Sequence, residues 1–320
     1  MNLSAIQCCV SASFGAVARE GEARLERHLV LLPAPARGRV VKEIEHFVRL
    51  LDETPGLPYW LLPPEAIAAW REEVATVGNE PALAAILLDL LLAALPSKAA
   101  QVVIPAGFVQ PFLEQFQRIL AALQDGPVGA MTLNNDLFLK DLAICRLQIF
   151  PGRAALIDRH SGIPRSLAFT GGGGQLWKLL RHAICHGGRF SPCFELHMHT
   201  PLLKEFHEAG WQSCYGLAAE LLRNYPRHLA VIGSSWFYDP RVEAISPHLA
   251  YLRRHPLEGG AYFLRVGSSQ ADVDLATRHD FGGQRLKLYR EGKFQPTKYM
   301  LVWPRAQLIG WSRGRPAPLS

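Results

Sequence analysis

The chain has 320 residues, 49% of them hydrophobic, 19% charged and 9% aromatic, which is enough for one large domain or two ordinary ones around a real core and excludes a disordered chain. Its formal charge is +6, but Lys and Arg are spread along the chain, the densest cluster being Arg253 and Arg254, so a nucleic-acid partner, which needs charge gathered on one face, is not expected. The basic balance suits a small-molecule substrate that carries negative charge.

In chain order, residues 1–30 show weak periodicity and are expected to be a weakly structured N-terminus. They lack the basic stretch that opens a signal peptide. The six cysteines, at 8, 9, 145, 185, 193 and 214, show no framework spacing, so a reducing cytoplasm is the expected location. Residues 31–128 read as mainly helical. VVKEIEHFVRLLDE carries apolar residues at 40, 41, 44, 47, 48 and 51, the spacing of one helix face. PPEAIAAWREEVATV has prolines and an acidic first turn at its start. PALAAILLDLLLAAL, residues 81–95, is apolar throughout except for Asp89. It falls short of the about 20 residues that a membrane span needs, so it predicts a buried core helix and no membrane partner. FVQPFLEQFQRILAALQ follows and stops at Gly126-Pro127, with Pro111 expected near its first turn.

From 129 to 320 the character changes to a mixed α/β region. Strand-like runs occur at 143–150, 154–158, 166–170, 193–199, 228–238, 248–253, 261–266, 299–303 and 307–311. Helical patterns intervene at 175–186, 201–223 and 284–291. The expected class is α+β (or mixed α/β), a helical N-terminal part packed on a mixed-sheet C-terminal part, as separate regions or one continuous domain. The sequence leaves the oligomeric state open.

The stretch RHAICHGGRFSPCFELHMHT, residues 181–200, holds four histidines and two cysteines. His182 and His186 lie one helical turn apart. In the strand-like CFELHMH, Cys193, Glu195, His197 and His199 alternate with Phe194, Leu196 and Met198, so the polar four share one face. Thr200-Pro201 then reads as a cap and first turn of a helix that carries Glu205 and His207. His197, His199, Glu205 and His207 are therefore expected metal ligands, with His279 a more distant one. Such a set suits a mononuclear iron centre for oxygen chemistry or a zinc centre for hydrolysis. Cys193 and Glu195 are the expected catalytic side chains on the same row. LHMHT resembles the first metal motif of the PHP-type phosphoesterases and, more loosely, of the amidohydrolases. That resemblance covers five residues, and the roughly 120 that follow are too few for a barrel of about 250.

A second reading starts at SLAFTGGGGQLWKLL. A strand-like run leads into Gly171, Gly172, Gly173 and Gly174 and then into a helix, where backbone amides can approach phosphate oxygens. GxxxxGK[ST] and GxGxxG are both absent. The mixed α/β pattern is loosely similar to that of the acyl-CoA-dependent N-acetyltransferases, which bind pyrophosphate at a Gly-containing turn into a helix. The resemblance implies coenzyme A or an acyl carrier as donor, the four glycines as its cradle and His197 or Glu195 as general base. A third reading, a non-catalytic interaction protein, makes the histidines structural.

Overall fold

The computed structural model describes residues 12–54, 56–124, 131–278, 280 and 282–314. The chain divides into two compact units. The first is Met1–Pro151 with Asp158–His160, and the second is Gly152–Ile157 with Ser161–Ser320.

The first unit is helical: α1 (Gly15–Val30), α2 (Ala34–Glu53), α3 (Pro64–Val77), α4 (Glu80–Ala93), α5 (Leu95–Ala99), α6 (Val109–Gln124) and α7 (Asp136–Cys145), followed by β1 (Ile149–Pro151). Proline enters α2, α3 and α4 in the first turn, where its missing N–H costs nothing. Asn79 caps α4 by accepting the Ala82 N–H at 3.1 Å. The α4 helix is buried on nearly every side, which explains its unbroken run of Leu, Ile and Ala. Asp89 is wholly buried within it and is matched by two side chains of α1, Arg24 at 3.5 Å and His28 at hydrogen-bond distance. The expected weakly structured N-terminus is thus corrected for residues 15–30; residues 1–11 lie outside the described residues. The α1 helix has a weak apolar period because its buried stripe includes Gly21 and Arg24, and that polar pair is completed only by Asp89.

The sheet has six strands in the order β1-β2-β3-β4-β6-β5, with β2 (Leu156–Ser161), β3 (Cys193–His197), β4 (Ala230–Ser235), β5 (Tyr262–Gly267) and β6 (Lys298–Pro304). The class is α+β, as expected. The second unit also holds α8 (Gly172–Cys185), α9 (Glu208–Asn224), α10 (Val242–Ile245), α11 (Tyr251–Glu258), α12 (Gln270–Arg278), α13 (Gln284–Arg290) and α14 (Arg305–Arg313). β3 and β4 are parallel, joined through α9, with Glu195 opposite Ile232. β6 runs antiparallel to both β4 and β5. Hence β3, β4 and β5 all point the same way, and their carboxyl ends share one edge of the sheet.

Both faces of this sheet are covered. On one, Cys193, Ala230, Ile232, Leu264, Met300 and Val302 pack with Ile163, Leu167 and Leu179. On the other, Trp303 meets Tyr215 of α9 and Trp311 of α14 at ring distances of 5.1 and 5.0 Å. The polar row expected on β3 is therefore not a solvent face, and Cys193 lies fully inside a core.

Three strand-like runs are helical. Residues 166–170 fall in a 3-10 turn, Arg165–Phe169, and 248–253 and 307–311 enter α11 and α14. In the last two, Leu249 with Leu252 and Leu308 with Trp311 are three apart, so one helix face serves the core. The run at 143–150 is shared between the end of α7 and β1. Asp239 is fully buried and accepts from the Arg241 and Thr297 backbone N–H groups.

Candidate functional site

Three elements of the second unit lie toward the carboxyl edge of the parallel strands, spread from β3 to β5 across β4 and β6. The first is β3. Glu195 and His197 share the face of Ile232, Met300 and Leu264, and both are partly buried. Ser161, at the end of β2, donates its hydroxyl to Glu195 Oε2 at 2.6 Å, and His197 Nε2 lies 3.8 Å from the same oxygen. A serine thus orients a carboxylate that faces an imidazole.

The second element is the glycine run. Gly171 stands at the N-cap position of α8 with no side-chain cap, and Gly172 has φ +73°, a left-handed conformation that L side chains rarely adopt. A Cβ on Gly172, Gly173 or Gly174 would meet open space. Backbone amides at a helix start with this much room are accessible to an anion. The third element is β5, which holds the run in place through Gln175. The Gln175 carboxamide accepts the Arg265 N–H at 2.6 Å and donates to Thr170 Oγ1 and the Arg265 carbonyl at 2.9 and 3.0 Å. Thr170 donates to the same carbonyl at 2.6 Å. By the strand registers, Ser235 and Arg265 both face Tyr299 of β6, so the anchored start of α8 is level with the end of β3 along the strand direction, with β4 and β6 between them. Ser161, Gln175 and Arg265 carried no signal in the sequence, since each acts through a partner 34 to 95 positions away.

The expected metal ligands do not assemble. Among the described residues, no three side chains of His, Cys, Asp and Glu are arranged to hold a metal ion. His199 is buried just past β3. Glu205 ends a 3-10 turn, Thr200–Glu205, and the helix that follows starts only at Glu208. Its cap is His207, not Thr200: the His207 Nδ1 accepts the Gly210 N–H at 3.2 Å. A Cβ on Gly210 would lie 2.1 Å from the Glu205 carbonyl oxygen, so the turn requires glycine there. Glu205 and His207 pair with each other at 3.6 Å, more exposed than the β3 pair. His279 lies outside the described residues.

Cys193 is corrected as a catalytic candidate. Burial pushes its thiol up to about 12, and its Sγ lies 3.5 Å from the Phe190 carbonyl, so it carries almost no thiolate at neutral pH. His182 and His186 are adjacent, with rings 4.4 Å apart. Burial, and then the neighbouring His186, depress His182 to about 4; its Nδ1 lies 3.1 Å from the Tyr262 hydroxyl. It is a core histidine that ties α8 to β5.

A separate depression of about 440 Å³ is lined by Gly162–Arg165 and Gly187–Ser191, with Arg165 stacked over Phe190 at 5.6 Å. It adjoins the C-terminal end of α8, about 20 Å along the helix from the glycine run.

No protein-family model matches the chain, and no curated protein is similar to it in sequence. One similar solved structure is described as the crystal structure of an acyltransferase in complex with decanoyl-CoA. It is 15% identical, with a TM-score of 0.45, covering 88% of this chain and 86% of that one. This is a likeness of chain trace and does not assign a chemistry. No helix among the described residues is long and apolar enough to cross a membrane.

Proposed function

We propose that the chain is an acyltransferase that takes its acyl group from coenzyme A or an acyl-carrier thioester. The observation that carries the reading is the Ser161–Glu195–His197 array at the carboxyl end of β3, with the uncapped glycine start of α8 at the same level of the sheet on β5, beyond β4 and β6. Open α/β sheets bind ligands at that edge. The α8 amides would receive a phosphate of the donor, and Gly172 to Gly174 leave the space for it.

Direct transfer needs a base and no enzyme nucleophile, which agrees with the inert Cys193. In this mechanism the acceptor, an amine or hydroxyl, attacks the thioester carbonyl carbon while His197 takes its proton. The new carbon–nitrogen or carbon–oxygen bond forms and the carbon–sulfur bond breaks. The departing thiolate then recovers the proton from His197. Glu195, held by Ser161, orients the imidazole and stabilises its charged form.

The test is calorimetric titration of the full chain with coenzyme A and acyl-CoAs from acetyl to decanoyl, with thiol release followed in the same samples. Wild type should bind and slowly release thiol. His197→Gln should keep binding and lose release by about 10²–10⁴-fold. Absence of binding to every thioester, or release unchanged in His197→Gln, would sink the proposal.

A further inference from the structure

The α8 helix buries Gln175, Leu179 and His182. A helix with one buried face normally turns polar residues outward on the opposite one. Here the opposite face is apolar. Leu176, Leu180 and Ile184 are four apart, Trp177 stands beside them, and Phe169 precedes the helix on the 3-10 turn. Their exposures are 41% for Leu176, 65% for Trp177, 45% for Leu180, 77% for Ile184 and 87% for Phe169. This is a contiguous patch, not the scattered apolar residues that any surface carries.

The charge in the segment that carries the patch has one sign. Residues 161–194 contain Arg165, Lys178, Arg181 and Arg189 and no Asp or Glu. Lys178 and Arg181 are exposed on the flank of the same helix; the Lys178 ammonium also donates to the Phe263 carbonyl of β5 at 3.3 Å, a bond it can exchange for a lipid phosphate. A helix lying flat with Trp, Leu, Ile and Phe outward and cations along its side has the composition of an interfacial membrane helix: the apolar row enters the acyl boundary and the cations meet lipid phosphates. An acidic protein partner would match the charge but leave the width of the apolar row without a reason.

We infer that α8 docks the protein on an anionic lipid surface. This is peripheral attachment through one helix face, which the absence of a spanning helix among the described residues leaves open, and it does not depend on the acyl-transfer reading. The experiment is flotation of the full chain with phosphatidylcholine vesicles, with and without phosphatidylglycerol. Wild type floats with the anionic vesicles and much less with the neutral ones. Trp177→Glu and Ile184→Glu, both at outward positions, each lower the partition about tenfold or more with unchanged circular dichroism and melting temperature. Lys178→Gln with Arg181→Gln lowers it about fivefold per charge at low salt, an effect that fades at high salt. Three results overturn the inference: no flotation with anionic vesicles, flotation unaffected by the two glutamates, or a wild-type dimer by light scattering that Ile184→Glu converts to monomer. The last would make the face an interface between two copies. Loss of binding to a purified acidic carrier protein in the same variants, without vesicle binding, would likewise replace the lipid by a protein partner.

Discussion

Replacing Asp89 by Asn tests why residues 15–30 are ordered. The Asp89 side chain has no exposed area and Arg24 is 4% exposed, with Nε 3.5 Å from Oδ1. Asn keeps the shape of the side chain and a polar contact to His28, but leaves the Arg24 guanidinium in the core without its counter-charge. Breaking a buried pair from one side costs about 3–5 kcal/mol. In a unit of this size each kcal/mol moves the melting temperature by about 2–4 °C. The retained His28 contact argues for the lower part of that range, a fall of about 10 °C in the helical unit. Arg24→Met in the Asp89→Asn background removes the stranded charge and should recover most of the loss, because the pair, and not each residue, is what the core requires. Thermal melts by circular dichroism of the wild type, both single variants and the double variant give the coupling directly. If Asp89→Asn melts with the wild type, or the double variant melts no higher than Asp89→Asn alone, the account of α1 as a helix held by this pair is refuted.

Other expected outcomes test the second unit. His207→Ala should cost about 1 kcal/mol through the lost cap of α9, with His207→Asn restoring most of it, and neither should change metal content measured by elemental analysis. His182 titrates at about 4 in the fold against about 6.5 when unfolded, so the neutral form is the native one. The stability this contributes is complete above pH 6.5 and is lost as pH falls through 4. It amounts to about 3 kcal/mol. A His182→Phe variant should lack that acid-side slope in urea melts, and a proton NMR titration placing His182 near 6.5 would contradict the assignment. Alkylation at pH 8 followed by peptide mapping should modify exposed Cys185 well before Cys193; equal labelling of the two would mean that Cys193 is not held in the core.

Local signals in the sequence determined the class, most helices of the first unit, and the strands β3 to β6. Those elements carry their own evidence in period, proline placement and cap residues. The α4 helix is legible because it is buried all round and so apolar all round. The HxH row was also legible as a set of residues on one strand face, and Glu195 and His197 do share it. Their use was not. Whether an alternating row faces solvent, a pocket or a second layer depends on α8, which packs on it through Leu179 and is anchored by Gln175 to a strand ninety positions later. His207 looked like a ligand because the chain beyond Thr200 reads as one helix; the break at Glu205 follows from the close approach of Gly210 to a carbonyl, which only folded geometry sets. The α1 helix was missed for the same reason, since Arg24 and Asp89 are each unfavourable in a core and become acceptable only together. Sequence periodicity reports what each segment can do with its own neighbours, within a few residues. The site is made of contacts between segments 34 to 95 residues apart, and those exist only once the sheet order and registers have brought them to one edge.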